Sequence, residues 1–407
     1  MRVHGYIHEL EAWCRARRQR TAASPGLLPL WIAGRDRFSL RAKRAVNLVP
    51  DVGGDLIRTK ERRSEMGGPE LQQECCGLMH ERRAILKTGV TSVFALSWFC
   101  SGIAVARGLE EPKARFLREW GRRGKADGEF NVPIGIAMTN DESLLVSDFR
   151  NGRLQKFSLE GKFLAAFEVG SNPSGLAVST TGEIYVAHFG IDGHGDQISV
   201  HDPSGKRLRD WGRSGKADAE FDMPGGIAID PDGQVYVADQ TNRRIQVFDK
   251  NGKFLRKWGK HGTALGEFGG NTGITNRTGG PHFLAFDHRG ELYATEASMG
   301  RIQVFTAEGK FLRAWGNNED KPGGFGGRPK NLPGPIGICI DKQDRVWVSS
   351  TNNRVQQFSA EGGYLRGFGS KGQGPGEFST PHAMAFDRAG FLYIVDTLNC
   401  RIQVFAV

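Results

Sequence analysis

One phrase recurs six times along this chain. Its clearest copy runs Pro224-Gly-Gly-Ile-Ala-Ile-Asp230, Val235-Tyr-Val-Ala-Asp239, Asn242-Arg-Arg-Ile-Gln-Val-Phe248 and Lys253-Phe-Leu-Arg-Lys-Trp-Gly259. The copies start at Pro133, Pro173, Pro224, Pro281, Pro335 and Pro381, at spacings of 40, 51, 57, 54 and 46 residues. Within a copy, β-branched and aromatic residues alternate with polar ones, and tight Gly turns such as Asn251-Gly252 interrupt them. That pattern predicts four short strands per copy, a to d. A repeat of this period built of short strands predicts an all-β fold, a six-bladed β-propeller.

The strand count also predicts how the ring closes. The first d-type segment, residues 115–120, precedes the first strand a, and the chain stops at Val407 after the sixth strand c. The N-terminal strand therefore completes the last blade, removing the open edge a linear array would leave. A closed ring predicts a monomeric domain.

Asn242-Arg-Arg-Ile-Gln-Val-Phe248, Asn399-Cys-Arg-Ile-Gln-Val-Phe405 and Gly266-Glu-Phe268 closely resemble NHL repeats. The resemblance covers the whole repeat region. Blade 2 departs from it, with Gln197-Ile-Ser-Val-His201 in place of the Arg-Ile-Gln-Val-Phe core. The resemblance implies the propeller fold. It does not select a function, because that family includes scaffolds, RNA binders and some enzymes.

The segments before the repeats read differently. Met79-His-Glu-Arg-Arg-Ala-Ile-Leu-Lys87 leads into a nearly uncharged stretch ending Ala104-Val105-Ala106. This resembles a twin-arginine export signal spanning 79–106 and predicts a periplasmic or extracellular protein. A single membrane anchor is the alternative. Residues 1–78, arginine-rich and aperiodic, read as a spurious or disordered leader, with translation starting at Met79 or Met66. The propeller domain is then 107–407.

Charge follows the same division. Of the net +10, residues 1–78 carry +5, residues 79–106 carry +2 and residues 107–407 only +3. A basic footprint for a phosphate backbone is missing from the repeats, which disfavours nucleic acid as a partner. Cys339, in an apolar run, reads as a core thiol, and two repeat-region cysteines make no disulfide framework.

In a propeller, strand a lines the central channel, and the d–a connections share the top face with the b–c loops. Connections of 21 and 18 residues precede Pro281 and Pro335, against eleven in blades 1, 3 and 6, and both are rich in glycine. Long loops of this kind serve as binding lips. Blade 2 has an enlarged b–c loop, His188 to Asp196. The position after each proline reads Ile134, Ser174, Gly225, His282, Ile336 and His382. Histidines on alternate blades, near one axis, are a candidate metal pair, with zinc or another divalent ion as the cofactor.

The two Pro-His segments resemble those of peptidyl-α-hydroxyglycine α-amidating lyase, in which three such histidines hold a catalytic zinc. That resemblance implies His282 and His382 as two ligands. Ser174 stands at the third position, and His188 is the candidate substitute. The tyrosine that the resemblance places in the blade 3 b–c loop is missing, since the chain reads Asp239-Gln-Thr-Asn242 there.

At the end of strand b the residues are Asp148, His188, Asp239, Glu296, Ser349 and Asp396. Each of Arg153, Arg244, Arg301, Arg354 and Arg401 starts a strand c. The carboxylates are candidates for cation binding or for pairing with those arginines. The strand d aromatics, Trp120 to Phe368, read as packing between blades. Ser174, Asp239, Glu296 and Asp396 are the candidate ligand-binding residues of the top face. The expected function is an exported module binding a protein, peptide or glycan there. The alternative is a metal-dependent lyase or hydrolase.

Overall fold

The computed structural model describes residues 114–190, 195–269, 279–326 and 334–407. The export signal, the leader and parts of the long top-face loops lie outside the described residues. The remainder forms six four-stranded antiparallel sheets, each a blade of a propeller. In blade 3 the strands are Pro224–Ile229, Val235–Asp239, Arg244–Phe248 and Phe254–Trp258, in the order a, b, c, d. Blade 4 has a shorter strand a, Leu284–Phe286, so its proline and histidine precede the strand.

The ring closes as the strand count predicts. Arg115–Trp120 pairs antiparallel with Arg401–Ala406 and supplies strand d of blade 6. Closure is reinforced sideways: Trp120 packs on Tyr393 of blade 6 and on Phe157 of blade 1, with centroids 6.2 and 5.8 Å apart.

The apolar core divides by seam. One cluster joins Tyr236, Ile245 and Phe268 of blade 3 to Leu284, Leu292 and Phe305 of blade 4. Equivalent clusters fill the other seams. Strand d aromatics belong to this packing. Trp211 of blade 2 lies under Gly252 in the c–d turn of blade 3, where a Cβ would meet the indole at 2.6 Å and φ is +87°. Only glycine accepts both the close approach and the left-handed backbone.

One cross-strand row ties neighbouring blades on the face opposite the channel mouth. In blade 3 it runs Ala228, Tyr236, Val247, Arg256. The guanidinium of Arg256 lies over the Tyr236 ring, 5.5 Å from its centroid, and donates to the Ala307 carbonyl of blade 4 at 2.7 Å. The same arrangement joins Arg209 to Lys250 and Arg313 to Ala360, with Tyr185 and Tyr293 as the rings. Arg118 with Tyr393 reaches Leu159 across the closure seam.

Candidate functional site

The top face is built from one lock repeated in blades 1, 3, 4 and 6. Asp239 ends strand b of blade 3 with no exposed surface. It accepts hydrogen bonds from the Asp222 amide, Asn242, Arg244 Nε (2.7 Å) and Gln246. Arg244 in turn donates to the carbonyls of Lys216, Ala217 and Glu220 in the incoming d–a connection. Asp148, Glu296 and Asp396 make the equivalent set with Arg153, Arg301 and Arg401. Desolvation pushes all four carboxyls up, Asp239 to about 6, opposed by their donors. Of the predicted face residues, Asp239, Glu296 and Asp396 are thus enclosed within their own blades.

The register corrects one assignment. Ser350, not Ser349, pairs with Arg354 as Asp239 pairs with Arg244. Blade 5 ends strand b with two serines, and strand alternation puts Ser349 on the other side of the sheet. There Ser349 accepts the Gly337 amide and donates to the His382 carbonyl of blade 6 at 2.5 Å. Ser147 and Thr295 make the same inter-blade bond, to the carbonyls of Ser174 and Ile336.

His188 takes the lock position in blade 2. Its Nδ1 bonds the Ser171 carbonyl at 2.9 Å and its Nε2 meets Ser199 Oγ at 2.7 Å. Ser199 also meets His201 Nε2 at 2.9 Å, and His201 Nδ1 bonds the Gly205 carbonyl. A carbonyl only accepts, so both Nδ1 atoms carry the proton. His188 Nδ1 is thus engaged inside the blade, and its Nε2 shares the single Ser199 hydroxyl proton with His201 Nε2. Burial holds its imidazole down at about 4.

His282 and His382 both lie where their blades enter strand a, and His382 is near enough to contribute to the lowered pKa of His282. His382 is 8% exposed, and its Nδ1 bonds the Thr380 carbonyl at 3.1 Å and Thr397 Oγ1 at 2.9 Å. Its Nε2 is left with the lone pair. His282 is placed by its backbone, its amide donating to Thr295 and its carbonyl accepting from Gly226 of blade 3 at 2.7 Å. The buried His282 Nε2 has no hydrogen-bond partner among the described residues. Desolvation, with His382 and Arg243 nearby, lowers His282 to about 3, and desolvation lowers His382 to about 4. Ser174 sits at the same ring position in blade 2, 4% exposed.

Arg243 is the mouth residue that sequence reasoning missed. It is buried, and its guanidinium donates to the Gln240 carbonyl. Its backbone is left-handed, φ 59°, where blades 1 and 4 have Gly152 and Gly300. Blades 5 and 6 hold Asn353 and Cys400 there in the same conformation, and a long charged side chain at a position that disfavours side chains was the available signal. A second left-handed position precedes the proline in blades 1, 2, 3 and 6, at Val132, Asn172, Met223 and Thr380. Its recurrence marks it as part of how each connection enters strand a.

No group of three or more His, Cys, Asp or Glu side chains able to hold a metal occurs among the described residues. The mouth instead offers two neutral imidazoles and a guanidinium. Such a set can accept and donate hydrogen bonds.

Comparison with known proteins agrees with the fold. The NHL repeat matches residues 130–157 and 221–248, and the chain carries NHL repeats in a six-bladed propeller. NHL repeat-containing protein 3 of Homo sapiens is 36% identical over 158 residues, covering 26% of this chain and 46% of that protein. Peptidyl-glycine alpha-amidating monooxygenase A of Xenopus laevis is 28% identical over 151 residues, covering 31% of this chain and 15% of that protein. The match thus spans less than half the length of either relative. A solved protein of unknown function from Bacteroides thetaiotaomicron shares the fold at TM-score 0.55 and 16% identity, over 72% of this chain and 75% of that one.

Proposed function

We propose that this propeller is an exported binding module that holds a protein, peptide or glycan ligand at its channel mouth. One observation carries the reading. The repeat carboxylates of the top face are enclosed in locks with arginine, while His282 Nε2, beside His382 and Arg243, is a buried polar atom with no partner among the described residues. A ligand hydroxyl or amide that exchanges a hydrogen bond with that nitrogen, in the direction its tautomer sets, satisfies it. Among the described residues the face shows no activated nucleophile or acid–base carboxylate pair to go with it. The twin-arginine-like segment supports export, and N-terminal sequencing of the native protein tests it: an N-terminus before Met66 overturns that part.

A second reading, a metal-dependent lyase or hydrolase, is favoured by the His282–His382 juxtaposition, since neutral imidazoles are what a divalent ion requires. Elemental analysis of the purified chain separates the two. Stoichiometric metal that is lost in both His282→Ala and His382→Ala establishes the metal site. A metal-free protein, unchanged by metal soaking, supports the binding module.

A further inference from the structure

Blade 1 breaks the cross-strand row that ties the other blades to their neighbours. Its row reads Ala137, Leu145, Lys156, Ala165. Leu145 stands where blades 2, 3, 4 and 6 have tyrosine and blade 5 has Trp347. Ala165 stands where the other five have arginine. The seam between blades 1 and 2 thus lacks both ring and guanidinium, and Ala165 sends nothing to Pro203, the counterpart of Lys250 and Ala307. The fully buried members of its core cluster, Leu145, Leu154, Val169, Leu176, Ile184 and Val186, are all aliphatic, and the strand d aromatic Phe167, partly buried, packs against them.

A cavity of about 220 Å³ opens there, on the face opposite the channel mouth. Leu145, Val178, Ile184 and Pro203 form its apolar wall, with Lys156 and Asp141 among its polar members. It is smaller than the roughly 300–1,000 Å³ of drug-sized sites and suits a single ring. Lys156 Nζ is 2.6 Å from Asp141 Oδ2, with the lysine side chain 18% and the aspartate 61% exposed. The seam thus carries a cation on strand c instead of strand d, and an acid two residues beyond the position of Asp230 and Asp287, where blade 1 has Thr139.

The sister seams show what such a slot takes. There an arginine lies 5.2–5.7 Å from the centroid of Tyr185, Tyr236, Tyr293 or Trp347. The phenols of Tyr236, Tyr293 and Tyr393 donate to Asp230, Asp287 and Asp387 at 3.1 Å each. We infer that the blade 1–2 cavity is a binding site for a phenolic ring, with Lys156 against the ring face and Asp141 accepting the hydroxyl. The ring comes from a tyrosine side chain of a partner peptide or from a free small phenol. This site is independent of the channel mouth.

The test uses the full chain and two probes, p-cresol and N-acetyl-tyrosinamide, titrated against the protein while the ¹⁹F line of p-fluorophenol is followed. Both probes are expected to reverse broadening of that line, and a lower midpoint for the tyrosinamide assigns the peptide source. Leu145→Tyr/Ala165→Arg restores the row of the other blades, fills the slot with a clamp the fold already accepts, and weakens binding at least about tenfold. Lys156→Met keeps the apolar stem and lowers affinity about two- to fivefold. Absence of broadening, or broadening that persists unchanged in the double variant while its melting temperature matches or exceeds wild type, overturns the assignment.

Discussion

Arg256 lies over the ring of Tyr236 and donates to its hydroxyl at 2.7 Å, so one side chain makes both a cation–π contact and a hydrogen bond. Through the Ala307 carbonyl it also joins blade 3 to blade 4. Arg256→Ala is expected to lower stability by about 1.5–3 kcal/mol, since charged donors are lost from a part-buried seam. Lys257, next in sequence but paired with exposed Asp218, is the control. Lys257→Ala should change stability by less than about 1 kcal/mol. Urea unfolding of both variants is the measurement.

The Asp239–Arg244 pair is more sensitive. Its side chains are 0% and 7% exposed. Removing the carboxylate leaves a buried guanidinium without its counter-charge, and Asp239→Ala is expected to lose about 3–5 kcal/mol. Asp239→Asn keeps an acceptor and should lose less. Equal losses in the two variants, read by chemical denaturation, would show that the charge has no part in the lock.

Closure by Arg115–Trp120 places the N-terminal strand and the last strand in one cooperative unit. Trp120→Ala removes packing on Phe157 and Tyr393 and is expected to destabilise by about 3 kcal/mol. Hydrogen exchange should then accelerate together in 115–120 and 401–406, leaving the strands of blade 3 protected. Exchange rising in only one of the two strands would contradict shared closure.

Buried neutral imidazoles make the fold sensitive to acid. His382 and His188 are held at about 4 and His282 at about 3, against an ordinary value of 6.5. Between pH 6.5 and 4 the unfolded chain binds protons that the folded chain refuses. Their contribution is thus complete above pH 6.5 and declines as pH falls toward 4. Each contributes roughly 1–2 kcal/mol of this loss at pH 5. The buried carboxylates, with raised values, act in the opposite sense. Comparing His382→Gln with wild type isolates the histidine: the drop in melting temperature from pH 7.5 to pH 5 should be smaller in the variant.

The ring itself was legible in the chain, because its causes are local. Alternation, Gly turns and repeat period specify strands and their order, and a d-type segment ahead of the first strand a leaves one way to close. Inter-blade packing by the strand d aromatics was legible for the same reason, since one aromatic recurs at one place in every copy.

What the side chains do at equivalent positions was not legible, because it depends on neighbours far away in sequence. Asp239 and His188 occupy one repeat position, yet the first locks an incoming connection and the second joins a serine–histidine chain inside blade 2. His382 contributes to the lowered pKa of His282, 100 residues away in numbering, only because the ring brings blades 4 and 6 round one axis. Leu145 and Ala165 look like ordinary drift in the sequence. Register and the absent clamp between blades 1 and 2 turn them into a cavity. Local pattern determined the blades and their closure. Tertiary structure decided which groups are enclosed and which are left to meet a ligand, because burial and pairing are set across seams rather than along the chain.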